Sequence, residues 1–567
     1  MAESRVDPIL LEIFWNRLTA IVTEQAARTI RASFSPLVRE AGDLATAIFD
    51  AKGRMLVHGV TGTPGHIMPM IETIKLLVSE FPPDSINPGD AFITNDPWRT
   101  AGHLFDISVV TPIFLNGRVI AFTATTAHHV DVGGLGLGAS ANDVFEEGLL
   151  IPLIKYHDAG KINTTLHKII EENVREPFMV ISDLNGQIAV NETAGEALVE
   201  LITEYRIDNI DVLIDEILER SEQASRDAIA KVPNGSYRSE TMLDGYDEPI
   251  KIVLTLHIKD RDIIADFTGS DPQVAKGINV CLNYTSGYVA FALRCAIGRD
   301  LPNNHGSVMP FSVIAEPGTI VNCSRPAPVS ARHVVGQMIP GIVLYTLAQA
   351  LPHEVIAESA GSVWGLTVQG HKDGRSYAGY MMTSGGMGAR PTKDGLAATQ
   401  FPTGSRFLPI ETVELESPVR YLKRELIADS GGPGRYRGGL GQRVEIEIDP
   451  AGSSCIATVI SERVKYPARG LDGGLAGRAG FISRADGTPL HPKGRAILTS
   501  PTTFKLETPG GGGYGSPLAR DPEAVTKDVR LGFVSQAAAR DVYGVVITAD
   551  GTLDARATDS LRSQMTP

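Results

Sequence analysis

Residues 106–128 read DISVVTPIFLNGRVIAFTATTAH, and the N-terminal part of the chain is organised around this stretch. Two runs rich in Val, Ile, Thr and Phe, 107–115 and 118–127, are separated only by Asn116-Gly117. That dipeptide suits the positive φ angles of a two-residue type I′ turn, so the stretch is predicted to be a β-hairpin. The turn also predicts a register. With Leu115 opposite Arg118, Asp106 faces Ala127 and Phe105 faces His128, unless a bulge slips the pairing by one residue. His103, Asp106, His128, His129 and Asp131 then gather at the open end of the hairpin, where cross-strand neighbours stand about 4.5–5.5 Å apart. His and Asp are ligand types that zinc and manganese accept, and a site with three or four protein ligands leaves a position for water or substrate. Such a site can generate hydroxide at neutral pH. One His or Asp beside a turn is usually a loop polar group, whereas five at one hairpin mouth point to a metal; on geometry alone both readings stay open.

Working outward, Asp7-Pro8 pairs a helix N-cap with Pro at the first helical position, and apolar residues at helical spacing carry the helix to about Ala32. A second hairpin pairs 44–49 with 55–58 across Asp50-Ala51-Lys52-Gly53, and a helix is expected over 68–80. Helical periodicity returns over 191–231 and stops at Pro233-Asn234-Gly235, which sets the end of an N-terminal metal-binding domain, 1–235. A middle domain, 236–412, alternates strands (251–257, 262–267) with helix (335–351). The remainder, 413–567, is rich in strand signals and glycine and closes with a short helix near 535–540. The class expected is α+β, multidomain, with mostly antiparallel sheets.

Composition narrows the function. With 567 residues, 43% apolar and 21% charged, the chain reads as globular rather than disordered or membrane-embedded. A formal charge of -14 without a dense Lys/Arg block argues against a nucleic-acid partner. MAESRVDP lacks the basic-then-apolar pattern of a secretory signal, and no apolar run is long enough to span a bilayer, so the expected location is the cytoplasm. The four cysteines, Cys281, Cys295, Cys323 and Cys455, form no CxxC pair, which leaves any metal to His and carboxylate.

Other polar groups are weaker signals. Asp143, Glu146 and Glu147 read as a solvated acidic patch, and His333 beside Arg332 reads either as an anion contact or as a satisfied histidine in a packed region. His58 and His66 flank Gly59 to Gly65 and are placed in the same pocket as the hairpin-mouth residues. The glycine runs 431–441 and 510–513 contain no GxxxxGK[ST] and open no helix after a strand, so they read as structural turns, and no ATP site is legible. Arg435, Arg437 and Arg443 in that region are free to meet an anion or a partner surface.

Several long motifs occur in order: ITNDPWRTAGHLFDISVVTP at 93–112, AHHVDVGG at 127–134, EGLLIP at 147–152, ADFTGS at 265–270, DSGGPGRYRGGLG at 429–441 and GGGGYGSPLARDPEAVTKDVRLGFVS at 510–535. Together they resemble the hydantoinase B family, which includes the B subunits or B halves of N-methylhydantoinase, 5-oxoprolinase and caprolactamase and related subunits of acetone and acetophenone carboxylases. The resemblance implies a divalent transition metal, zinc first, with manganese and iron also admitted by the donor set. Matched motif to motif, it is held by Asp43 in EAGDLATAIFD, His103 and Asp106 in GHLFD, and His128 in AHHVDVGG, the same residues taken as catalytic. His129 and Asp131 become candidates for orienting a ligand. The resemblance also implies a hetero-oligomer in which an A-type partner binds ATP and phosphorylates a small cyclic amide, whose ring this chain then opens by hydrolysis. A carboxylase component using the same site, and a non-catalytic scaffold for the ATP-binding partner, are the rival readings. Phe105 stands where the family more commonly has Pro, and Thr100-Ala101-Gly102 where it more often has two glycines and Thr or Ser; these changes spare the ligands and bear on the substrate pocket.

Overall fold

The Asp7 carboxylate accepts the N–H of Ile9 at 2.9 Å and Pro8 opens the first helix, Pro8–Ala32, whose buried face carries Leu11, Phe14, Leu18 and Val22. The computed structural model describes residues 7–60, 62–372, 374–450 and 453–565. The first helix packs on a seven-stranded sheet in the order Met55–His58, Leu44–Asp50, Arg118–His128, Asp106–Leu115, Ala91–Thr94, Ile154–Asp158, Lys161–Ile162. Every pairing within it is antiparallel. The Asn116-Gly117 hairpin sits at its centre, with φ of 52° and 76° at the two turn residues.

Side-chain alternation sends Ile48 and Val109 to one face and Phe49, Val110 and Phe122 to the other. Helices Pro8–Ala32 and Pro177–Glu204 cover the first face, and Pro69–Glu80 covers the second. Both faces are therefore buried, which is why these strands read as nearly continuous apolar runs. The helix expected from 191 starts earlier, at Pro177, and a second helix covers Ile210–Ile229. Buried polar residues mask its first half. Asp183 accepts the Phe34 N–H at 2.6 Å, Gln187 donates to Ile107 O at 3.2 Å, and Asn191 donates to Val109 O at 3.1 Å. These contacts tie the helix to the sheet and to the loop after the first helix while interrupting the apolar stripe.

The register also differs from the turn-derived one. Leu115 pairs with Arg118, but an irregularity between Ile113 and Phe114 slips the remainder, so that Asp106 pairs with His128 and Ile107 with Ala127.

A four-stranded sheet follows in the order Phe311–Ile314, Asp262–Asp266, Ile250–Lys259, Gly235–Leu243, with its first pair parallel. Helices Leu282–Ala296 and Ile339–Leu347 pack against it, and the helix expected over 335–351 is broken into His333–Gly336 and Ile339–Leu347. Leu104, Phe105 and Val132, from the hairpin mouth, sit in this second core. Two further four-stranded sheets, around Trp364–Lys372 and around Gln442–Ile448, share a core that includes Leu366, Val459, Val444 and Leu506.

The glycine runs are not isolated turns. Gly386 donates to Pro509 O at 3.0 Å, Gly439 to Met387 O at 2.8 Å, and Gly511 to Gly439 O at 3.0 Å, so distant backbones interlock. A Cβ on Gly386 would stand 1.8 Å from Gly439 O, which only glycine permits. Arg437 and Arg443 are engaged internally, with Asp528 at 3.2 Å and Glu507 at 2.7 Å, and Arg435 lies over the Tyr436 ring. No helix among the described residues is long and apolar enough to cross a membrane. The architecture is mixed α/β and multidomain with mostly antiparallel sheets, in line with the class expected.

Candidate metal centre

Asp106 begins its strand and His128 ends the facing one, and the slipped register sets them side by side. Asp106 is fully buried. Its Oδ1 lies 2.9 Å from His103 Nε2 and 2.9 Å from His128 Nδ1; its Oδ2 lies 2.9 Å from His66 Nε2 and 2.6 Å from Arg332 Nη2. Asp43 precedes the Leu44–Asp50 strand, and its main-chain carbonyl accepts the His128 N–H at 3.1 Å. Its carboxylate takes the Thr63 hydroxyl at 2.9 Å and stands 3.9 Å from His128 Nδ1. The fold thus brings Asp43, His103, Asp106 and His128 together and adds His66 and Arg332.

The His103 imidazole is held in a defined tautomer. Its Nδ1 lies 2.9 Å from Ser330 O, and a carbonyl only accepts, so Nδ1 carries the proton and Nε2 is left with a lone pair. Burial, reinforced by the Arg332 charge, pushes the His103 pKa down to about 4, so the ring is neutral at pH 7. Its Nε2 therefore faces a carboxylate oxygen at 2.9 Å with no hydrogen bond between them. Two lone-pair donors held this close, away from water, are what a cation would bridge. Donor atoms of His103, Asp106 and His128 all lie within 4.8 Å of one another, so this buried group could hold a metal ion.

The surrounding charges keep Asp106 ionised. Burial disfavours its charge, but His66 and the Arg332 guanidinium oppose burial, and its pKa is held well below the ordinary carboxylate range. Burial likewise opposes protonation of His66, yet Asp106 and Asp43 raise its pKa above 6.5. The Arg332 guanidinium also donates to Ala101 O at 2.5 Å and lies 4.1 Å from the Tyr284 ring centroid. Gly102, at φ 85°, lets that side chain pass, since a Cβ there would stand 2.9 Å from Arg332 Cδ. Phe105 lies nearly parallel to the His128 ring, with centroids 5.6 Å apart, and so flanks that imidazole.

His129 and Asp131 point elsewhere. His129 Nε2 meets Gln187 Oε1 at 3.0 Å and burial lowers its pKa to about 4, while Asp131 pairs with Arg175 at 2.7 Å. Neither has a hydrogen bond or ion pair to His103, Asp106 or His128 among the described residues. The 143–147 patch separates into unlike parts. Asp143 caps a short 3-10 turn and Glu146 is exposed, but Glu147 is buried, contrary to the solvated reading. Its Oε1 accepts the N–H groups of Val329 and Ser330, each at 2.7 Å, and so fixes the carbonyl that orients His103. His333 lines the centre with its Nε2 buried and unpartnered, and burial together with Arg332 holds its pKa well below 6.5. His58, expected beside His66, lines a different cavity.

The centre opens onto a cavity of about 40 Å³ lined by Asp43, His66, His103, His128, Gln337 and Tyr380 among others. His66 lines this cavity, where the sequence placed it, whereas Ser330 and Arg332 come from segments remote from the hairpin, and no spacing in the sequence links them to it.

The family model described as hydantoinase B/oxoprolinase matches residues 7–517. The chain is 32% identical to the putative D-/L-hydantoinase B subunit of Pseudomonas sp. (strain NS671), covering 98% of each. Its structure is similar to that of the ATP-dependent caprolactamase from Pseudomonas jessenii, with TM-score 0.90, 27% identity, and coverage of 99% of this chain and 100% of that one. It shares its fold with a chain of nucleotide-free acetone carboxylase, at TM-score 0.87 and 22% identity over 99% of this chain and 83% of that one. The chain belongs to the hydantoinase B/oxoprolinase family.

Proposed function

We propose that this chain is the metal-binding component of an ATP-dependent enzyme that opens small cyclic amides, working on a lactam or imide that an A-type partner has phosphorylated on its amide oxygen. The observation that carries this is the buried convergence of His103, Asp106 and His128 donor atoms. A divalent ion held there with Asp43, zinc before manganese or iron, would supply Lewis acidity and lower the pKa of water. Ser330 O fixes the tautomer of His103, Arg332 balances part of the Asp106 charge, and Phe105 steadies His128. Asp43 has 20% side-chain exposure against 6% or less for the other three, which makes it the carboxylate best placed to take a proton from an entering water. A cavity of about 40 Å³ admits a water or two but no lactam ring. Substrate entry therefore requires wall residues such as Tyr380 and Ser405 to draw back, which suits delivery by a docked partner. Relatives whose names make them the B or beta component of a larger enzyme support such a partner, and the glycine runs contain no Walker-type phosphate loop.

The test is co-purification with the ATP-binding partner and product analysis across lactams, hydantoins and ketones. Ring-opened amino acid with coupled ATP hydrolysis, lost in His103→Ala, is the expected outcome. Bicarbonate-dependent acid formation from a ketone would replace this reading with the carboxylase. A wild-type chain free of transition metal, with full activity in His103→Ala, would replace it with the scaffold.

A further inference from the structure

A second cavity, of about 420 Å³, lies behind the metal centre. The chain from Gly62 to Met68 forms a wall common to both: Thr63 and His66 face the centre, while Gly62, Pro64, Ile67 and Met68 face the second cavity. Its body is apolar, with Met55, Ile67, Met68, Ala290, Phe291 and Val308 on the walls and Val60, 77% exposed, among its lining residues. A space of this size lies within the range of small-molecule pockets.

The polar lining is informative because of its charge. Arg294 and Arg299 both contribute, but Arg299 is neutralised by Glu354. Arg294 has no carboxylate partner among the described residues. Its guanidinium donates to Gly298 O, to Leu301 O at 2.6 Å and to Asn303 Oδ1 at 3.3 Å, all neutral acceptors. These contacts hold the group in place and leave its charge uncompensated. Neighbouring His58 engages Gly59 O through Nδ1 at 2.8 Å, and burial lowers its pKa, so it adds no positive charge at neutral pH. One fixed, unbalanced cation beside an apolar chamber is complementary to a monoanion with an apolar body; a phosphate dianion would ask for a second positive charge and has no use for the apolar walls.

We propose that this cavity binds a small organic carboxylate, with the carboxylate on Arg294 and the apolar body against Phe291, Met68 and Ile67. The occupant is separated from the metal centre by a single layer of chain, and the chemistry that recognises it is independent of the reaction performed there.

The experiment titrates the full-length chain with hexanoate, hexanol, hexylammonium and inorganic phosphate, read by isothermal calorimetry and ligand-observed NMR. Hexanoate is expected to bind roughly tenfold or more tightly than hexanol, as one charge-assisted hydrogen-bonded pair predicts, with hexylammonium and phosphate silent. Arg294→Met should weaken hexanoate by a similar factor. Val308→Phe, which narrows the chamber without touching the guanidinium, should also weaken it and decides the matter if Arg294→Met fails to fold. His103→Ala should bind hexanoate as the wild type does, which keeps failure of this site distinct from failure of the metal centre. Hexanoate binding no tighter than hexanol, phosphate binding that equals hexanoate, or hexanoate affinity retained in both cavity variants would overturn the proposal.

Discussion

Glu147 offers a perturbation whose sign can be worked out beforehand. Its carboxyl is buried, its Oε1 accepts two main-chain N–H groups, its Oε2 has no partner, and burial raises its pKa from 4.5 to about 8. Between those values the folded chain holds a proton that the unfolded chain has released, so stability falls as pH rises through this window. Each pH unit is worth about 1.4 kcal/mol, which caps the loss at about 5 kcal/mol from pH 4.5 to pH 8. Water reaching the loop once it ionises brings the expectation to on the order of 2–3 kcal/mol. Glu147→Gln keeps the accepting oxygen and never ionises. Its melting temperature should match wild type near pH 5 and exceed it progressively up to about pH 8, with a constant gap beyond. Full-length proteins compared by thermal melts between about pH 5 and pH 9 cancel every other titration common to both. Parallel curves across that range would refute the argument. Glu147→Ala separates the second role, because it strips the acceptor from the Val329 and Ser330 N–H groups at every pH, costing about 1–3 kcal/mol, and should lower metal occupancy by loosening the carbonyl that orients His103.

Arg332→Met leaves the buried Asp106 without its only arginine contact among the described residues, and should cost about 3–5 kcal/mol in a urea melt of the metal-free chain. A loss under about 1 kcal/mol would mean the pair is not formed. His103→Ala and Asp106→Asn should lose bound metal by elemental analysis while His129→Ala retains it, because His129 bonds to Gln187 on the far side of the strand; metal loss in His129→Ala would reassign the ligand set. Gly386→Ala, which drives a Cβ to 1.8 Å from Gly439 O, should collapse soluble yield, whereas Gly341→Ala, with open space and a helical position, should raise stability by about 0.5–1 kcal/mol. Equal yields of the two variants would show that the glycine interlock does not hold the C-terminal part together.

Elements whose order is set by local chemistry were legible. Asp7-Pro8 and Asn116-Gly117 each dictate their own backbone, and helix and hairpin form where they say. Pro177–Glu204 was half hidden because Asp183, Gln187 and Asn191 satisfy distant backbone groups, a role that reads locally as the absence of an apolar stripe. The glycine runs misled for the related reason that their requirement is another backbone at van der Waals distance, not a turn. A sequence shows that a Cβ is missing, but not whose carbonyl occupies its place.

The centre divides the same way. His103, Asp106 and His128 share one hairpin mouth, so turn chemistry could gather them, and His66 was placed with them by its glycine-rich loop, whereas Ser330 and Arg332 are contributed by tertiary packing. Which histidine faces Asp106, however, was decided by one irregular position. In an antiparallel pair, directly opposed residues project to the same face, and a slip of one residue exchanges the faces. Without the irregularity between Ile113 and Phe114, Asp106 would share its face with Ala127 and with the next residue on that side, His129. With it, Asp106 stands beside His128, and His129 turns to Gln187 on the helix behind. The bulge some seven residues away therefore selects which histidine stands beside Asp106, and if the proposed metal is held there, restoring regular pairing should abolish its binding by elemental analysis without altering a single donor side chain.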